Sequence, residues 1–393
     1  MKDKRICIIS KFLYENDTRL QQQAKTLASS GANVDVLCLT TSYKKTRNEN
    51  GINIHGVAHP IPKETIVKYL LSTLQFGLAC LIKLLRLSFV QKFDIIVVHT
   101  LPEFLVFVTF FEKLKGTKVL LDIRDTSVEL FATKWGTNKR KFIMKLVKGS
   151  ANLACHYSDK IITASPGFYN KLIEREIPRE KIDVVFNSAD TAIFKFDESR
   201  KFKKITSGAK LIYHGTISER FGVDIAISAL KIVQSKIPDS QLTIYGFYDE
   251  DYKKFLQNQI SKLELENYVY LNGKESLENI YKQILISDIG LVPYRSDDFM
   301  QLAFSTKMFE YVNSGIPVVA SRLRPAESVF DDTCILYATP NDPQSFANNI
   351  IRFCLEPELR QSCANNAFKA HQKVSSDEMS KLYLNIIKNL LNS

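Results

Sequence analysis

The chain of 393 residues contains no G-x-G triplet, no P-loop and no C-x-x-C pair. The first absence removes the dinucleotide fingerprint, whose glycines let the backbone approach a pyrophosphate. The second removes the usual phosphate cradle of nucleotide hydrolases. Seven cysteines lie scattered without metal-ligand spacing and six histidines form no H-E-x-x-H cluster, so no metal site is expected. An odd, unpaired set of thiols suits a reducing compartment. The start, MKDKRICIIS, carries no apolar run of signal-peptide length, and a cytoplasmic protein is expected. Glycine (15) and proline (12) are sparse and no repeat appears, which excludes fibrous and low-complexity classes.

What is present fits two domains of roughly 150–200 residues each. An apolar fraction of 45% beside 24% charged residues is that of a globular chain. The net charge of +11 is unevenly placed. Residues 1–200 hold 31 Lys and Arg against 20 acids, whereas residues 201–393 hold 22 of each. The basic half therefore favours an acidic partner, either an anionic membrane surface or a phosphorylated substrate. Nucleic acid is not expected, because no helix-turn-helix, zinc or aromatic RNA-binding signature accompanies the charge.

Both halves alternate strands and helices. Runs at 5–10, 34–40, 93–100, 118–125, 160–165 and 182–187 read as strands of the first half. Runs at 209–215, 240–246, 267–273, 287–294 and 316–321 read as strands of the second. They are apolar nearly throughout, as parallel strands covered on both faces must be. The charged stretch 194–208 is poor in aliphatic residues and reads as the linker. Domains are accordingly expected at 1–195 and 196–374, with a C-terminal helix over 375–393 packing back on the first.

One stretch departs from this pattern. Residues 66–93 are rich in Leu and Phe and carry Lys68, Lys83, Arg86 and Lys92 without an acid. The longest uncharged run, Tyr69 to Ile82, is short of the ~20 residues needed to cross a bilayer. Two readings stay open: a buried crossover helix, or a helix lying peripherally in a membrane interface.

The strongest local pattern is QLAFSTKMFEYVNSGIPVVAS at 301–321. Ser305 and Thr306 suit the cap of a helix running from Lys307 to Asn313 and ended by Gly315. Free N–H groups at that start, with Lys307 in the first turn, make an anion site suited to a diphosphate. Glu310 shares a face with Lys307 and is placed to accept ribose hydroxyls.

This segment resembles the donor-binding signature of glycosyltransferase family 4, retaining enzymes of the GT-B fold. Further motifs follow in the family's order: LIYHGTISERFGVDIAISAL (211–230) resembles its glycine turn, and VVFNSADTAIF (184–194) its interdomain segment. DIIVVHTLPEF and LLDIRDTSVEL are similar to its acceptor-side strands. The resemblance implies an α/β chain of two Rossmann-like, doubly wound domains facing a cleft. It implies diphosphate and ribose binding for Lys307 and Glu310. Gly215, Thr216 and Gly246 join Ser305 and Thr306 in the implied donor set. The family often has Arg and Lys where this chain has Thr216 and Phe221, so Arg220 is expected as the replacement cation. Position 302 is Leu where the family has an acid facing the transferred sugar, and Arg124 stands where many members have His. On the acceptor side, His99, Arg124 and Asp125 are the implied catalytic candidates beside Arg220 and Lys307. Arg19 resembles a first-loop arginine that meets a phosphate, and Glu103 and Glu129 are further acceptor-loop candidates.

The implied activity is metal-independent, retaining hexosyl transfer from a nucleoside-diphosphate sugar, UDP rather than GDP, with no cofactor. The acceptor is expected to be a glycan, lipid-linked, in bacterial surface polysaccharide assembly. Two alternatives stay open: a nucleotide-sugar epimerase or hydrolase of the same fold, and a non-catalytic nucleotide-sugar-binding partner of a glycan-assembly complex.

Overall fold

The computed structural model describes residues 1–42, 46–61, 66–100, 102–129 and 141–392. Leu101 and Leu130 of the acceptor-side motifs lie outside them. Two compact units emerge, Met1–Phe186 with Met379–Ser393, and Asn187–Glu378.

The first unit is built on eight strands: β1 (Arg5–Leu13), β2 (Asn33–Leu39), β3 (Thr46–Glu49), β4 (Ile52–Ala58), β5 (Ile95–His99), β6 (Lys118–Ile123), β7 (Lys160–Thr163) and β8 (Ile182–Val184). Their order is β3-β4-β2-β1-β5-β6-β7-β8. The chain winds outward from β1 through β2 and β4, then restarts at β5 on β1's other side. The β1/β5 boundary is thus a topological switch point, and the carboxyl ends of strands open a crevice there. Every pairing is parallel except β3 with β4. That hairpin was absent from the sequence reading. Its signal is Asn50-Gly51, whose positive φ values of 51° and 81° are those a tight two-residue hairpin turn requires.

Three helices of this unit matter below: α1 (Thr18–Ser29), α2 (Ile66–Val90) and α3 (Phe110–Leu114). A fourth, α4, spans Lys141–Tyr157. Phe76, Cys80 and Leu84 of α2 recur every four residues, so they share one helix face, and they pack into the core with Ile96, Val98 and Leu105. By length and composition, Lys68–Val90 is long and apolar enough to cross a membrane, beyond what the uncharged run suggested.

The second unit carries β9 (Lys210–Ile217), β10 (Gln241–Tyr248), β11 (Val269–Asn272), β12 (Ile289–Val292), β13 (Val318–Ser321) and β14 (Leu336–Ala338), all parallel. The order β11-β10-β9-β12-β13-β14 puts its switch point between β9 and β12. Its helices include α5 (Val223–Gln234), α6 (Thr306–Asn313) and α7 (Pro357–Gln372), and α8 (Ser376–Asn392) ends the chain. From α8, Ser380 Oγ lies 3.3 Å from Thr26 Oγ1 of α1, and Tyr383 and Ile387 are buried.

The stretch expected as the linker is pinned to the second unit. Phe196 stacks on Phe368 at 3.9 Å, Arg200 donates to the Ser287 carbonyl at 2.6 Å and Ile205 N–H to the Cys354 carbonyl at 2.8 Å. Contacts therefore divide the chain between Phe186 and Asn187, earlier than the composition suggested. All seven cysteines are free and buried.

Gly246 shows why β10 needs a glycine two residues before its end. A Cβ there would stand 1.7 Å from the carbonyl oxygen of Gly215 on β9. Gly246→Ala is expected to lower stability by about 3 kcal/mol, measured by denaturant unfolding, because neither backbone can yield without losing ladder bonds.

Candidate functional site

At the switch point of the second unit, α6 starts just beyond β12. Ser305 occupies the cap position, yet its hydroxyl does not accept from the helix. It donates instead to the Tyr294 hydroxyl at 3.0 Å. The first N–H groups of α6 are thereby left without a side-chain cap, a configuration that favours an anion. This corrects the expected capping role of Ser305. Thr306 Oγ1 accepts weakly from Asn187 Nδ2 at 3.4 Å.

Lys307 is only 6% exposed and its ammonium is boxed by aromatic rings. Nζ donates to Tyr294 Oη at 2.8 Å and Tyr213 Oη at 3.1 Å, and lies 4.2 Å from the Tyr213 ring centroid. Burial pushes its pKa down to about 7, against a smaller upward pull from Glu310. Phe221 contributes a third ring, 5.6 Å from Nζ. Tyr213 in turn donates to the Thr216 carbonyl at 2.6 Å, so the lysine is joined to the exposed end of β9.

Glu310, one turn along α6, is buried as well. Burial raises its pKa to about 7, opposed by Lys307. His214 Nε2 sits 3.1 Å from Glu310 Oε2, but neither atom has a hydrogen-bond partner. Burial also drives His214 down to about 3, so it is neutral and contributes no counter-charge at neutral pH. A buried carboxylate oxygen without a donor is costly, and a ligand hydroxyl would relieve that cost. Gly215, at φ +118°, leaves the Lys307 side chain room that a Cβ would crowd at 3.1 Å.

Arg220 is not a free cation. Its Nε pairs with Asp297 Oδ2 at 2.9 Å, and its guanidinium lies 5.0 Å from the Phe299 ring centroid. Asp297 also accepts from the N–H groups of Phe299 and Met300, which fixes the loop before α6. Leu302 is buried.

The first unit gathers its candidates differently. Arg19, expected to meet a phosphate, is 5% exposed and forks onto Asp122 at 2.9 Å through both Nε and Nη2. Its Nη1 donates to the Val185 carbonyl at 2.8 Å. Arg19 is thus a buried anchor between β6 and the segment after β8, because Asp122 interrupts an apolar strand and must be compensated. Although burial works upward, Arg19 and His99 hold the Asp122 carboxyl well below the usual range.

His99 is fully buried, and burial followed by Arg124 pushes its pKa down to about 3. Arg124 Nη2 donates to His99 Nδ1, which leaves the proton on Nε2 to be given to Gln23 Oε1 at 2.8 Å. Gln23 Nε2 then donates to Asp122 at 2.7 Å. Arg124 also binds both Asp17 oxygens at 2.7 Å. This closed network makes His99 an unsuitable proton acceptor for a substrate, correcting its expected role. Asp125 remains half-buried at the strand end, with its carbonyl accepting from Thr100 at 3.1 Å.

The acceptor-loop acids are also internal. Glu103 is buried and accepts from Ser127 N–H at 2.8 Å, and burial raises its pKa. Glu129 binds Arg175 through both oxygens at 2.5 Å, and this outweighs burial and lowers its pKa. Both have structural partners rather than the expected acceptor-facing position.

Tyr213, Tyr294, His214 and Asp297 were missed in the sequence. Tyr294 and His214, at the carboxyl ends of the runs 287–294 and 209–215, sat where ligand residues are expected. Arg19→Ala is expected to cost about 3–5 kcal/mol in chemical unfolding, since it strands a buried carboxylate. The same change should leave nucleotide binding by the second unit unaltered.

Residues 17–193 match the family described as Glycosyltransferase Family 4, and residues 194–370 match glycosyl transferases group 1. A putative teichuronic acid biosynthesis glycosyltransferase, TuaH of Bacillus subtilis (strain 168), is 25% identical over 185 residues. That match spans 47% of this chain and only 45% of the relative. Sucrose-phosphate synthase (tll1590) from Thermosynechococcus elongatus superposes with a TM-score of 0.74 at 14% identity, covering 99% of both chains. Anabaena Alr3699/HepE in complex with UDP and glucose superposes at 0.72 and 16% identity, covering 98% of this chain and 100% of that one. Each half of the chain thus matches a glycosyltransferase family model, and over nearly its whole length the chain has the GT-B fold.

Proposed function

We propose that the chain transfers a sugar, with retention, from a UDP-sugar to a lipid-linked glycan acceptor in surface polysaccharide assembly. The observation that carries the donor half is the Glu310 carboxylate, buried with an unpartnered oxygen one turn from Lys307 and the uncapped start of α6. A nucleoside diphosphate matches all three: ribose hydroxyls donate to Glu310, and phosphate oxygens meet Lys307 and the helix N–H groups. UDP is favoured because the structurally similar HepE is described with UDP and with UDP-glucose. The polysaccharide setting draws on the relative described as a teichuronic acid biosynthesis enzyme.

Chemically, the leaving group is a diphosphate whose charge grows as the glycosidic bond breaks. Lys307 and the α6 N–H groups are fixed before that happens, so they stabilise the charge without reorganising. Arg220, paired with Asp297, holds the same loop in place rather than supplying a free charge. The reaction is read as metal-independent on the strength of these fixed donors. The departing phosphate takes the acceptor proton, and Asp125 is the remaining acceptor-side carboxylate at the strand ends for orienting the sugar.

UDP at about 100 times its dissociation constant is expected to stabilise the protein by roughly 2.7 kcal/mol, seen as a thermal shift. Glu310→Ala should abolish that shift, and GDP should give a smaller one. UDP release that needs a lipid-linked glycan and survives EDTA supports transfer; release without any acceptor would indicate hydrolysis, and binding without release a non-catalytic partner.

A pH dependence follows from the depressed lysine. The Lys307 ammonium is present below about pH 7 and is lost as pH rises through that value. Glu310, raised to about 7 as well, ionises over the same range, so the loss is read in a Glu310→Gln background: UDP affinity there should fall above neutrality by up to tenfold per pH unit, and adding Lys307→Met should remove that slope.

A further inference from the structure

We propose that the first unit docks on an anionic lipid surface through one face made by α2, α3 and α4, with α2 lying in the interface and not crossing it. This goes beyond the donor-site reading and does not depend on it. The inner stripe of α2, Phe76, Cys80 and Leu84, is committed to the sheet core. The opposite stripe is not: Leu71, Leu74 and Leu78 are exposed, Leu74 at 62%, and Phe89 at the helix end is 94% exposed. Beside it, α3 exposes Phe111 and Leu114, and α4 exposes Phe142 at 73% with Leu146 and Leu153.

These helices are laced into one surface. Ser88 of α2 donates to Glu112 of α3 at 2.7 Å, and Lys115 bonds both at 2.9 Å. Lys113 of α3 donates to the Tyr157 carbonyl that ends α4 at 2.6 Å. The charge on this face has one sign. Helices α2 and α4 contain no acid, and Arg86, Lys145 and Lys148 stand exposed among the apolar side chains. The single acid of α3, Glu112, is buried against Lys115.

An exposed apolar patch of this extent marks an interaction surface. Cations interleaved with Leu and Phe suit anionic headgroups over acyl chains. A second copy of the same face would bring lysine against lysine, and a spanning helix would have to strip Phe76, Cys80 and Leu84 from the core.

The test is flotation of the full chain with vesicles of phosphatidylcholine alone or mixed with phosphatidylglycerol. Binding is expected only to the anionic vesicles. Each basic side chain near such a surface contributes about a fivefold factor, so Arg86→Gln with Lys145→Gln and Lys148→Gln should weaken partitioning roughly a hundredfold. Leu74→Gln with Leu78→Gln should weaken it comparably. Both variants change exposed side chains, so an unchanged melting temperature and an unchanged response to UDP separate loss of docking from loss of fold or donor site. Equal binding to neutral vesicles, or variants that bind like the parent, would overturn the proposal. So would protein that resists alkaline extraction, which means spanning, or a dimer dissolved by the leucine changes, which means a protein interface.

Discussion

Two opposite charges one helical turn apart, both taken out of water, govern the second unit. Lys307 and Glu310 are not joined as a salt bridge: the ammonium turns to two tyrosine hydroxyls and the carboxylate keeps an unpartnered oxygen. Burial keeps both phenols protonated, since it moves Tyr213 and Tyr294 well above their ordinary range. They therefore act as neutral acceptors that hold the lysine without cancelling its charge. Gly215 and Gly246, paired across β9 and β10, and the redirected Ser305 then leave space and free N–H groups beside it. That arrangement is what the proposed nucleoside-diphosphate reading rests on.

The first unit obeys the same rule with the opposite result. Asp122, Arg19, Gln23, His99 and Asp17 are also buried polar groups, and they find partners in a network with the half-buried Arg124, whose Nε stays unpartnered. A closed network gives rigidity at the β1/β5 switch point. In the second unit the buried Glu310 keeps an oxygen without a donor beside an uncapped helix start.

Much of the architecture could be read from the chain. Uninterrupted apolar runs fix parallel strands, since both faces must be covered, and the short spacer at Asn50-Gly51 held the hairpin signal that was overlooked. The helix at 306–313 was legible from its spacing and from Gly315. The stretch read as the linker is mostly exposed loop, as its charge suggests, while Phe196, Arg200 and Ile205 each make a specific contact to the second unit.

By itself, the sequence determined the strand and helix periodicity, the basic first half, and the placing of Lys307 three residues before Glu310. Those are properties of neighbours along the chain, and local chemistry fixes them. Tertiary structure decided which charges are satisfied. Arg19 looked like a phosphate ligand until Asp122, far away in sequence, was brought beneath it. Arg220 looked free until Asp297 closed on it, and His99 looked reactive until Arg124 and Gln23 occupied both ring nitrogens. The energy of a charge depends on everything within a few ångströms of it, and only folding assembles that surrounding.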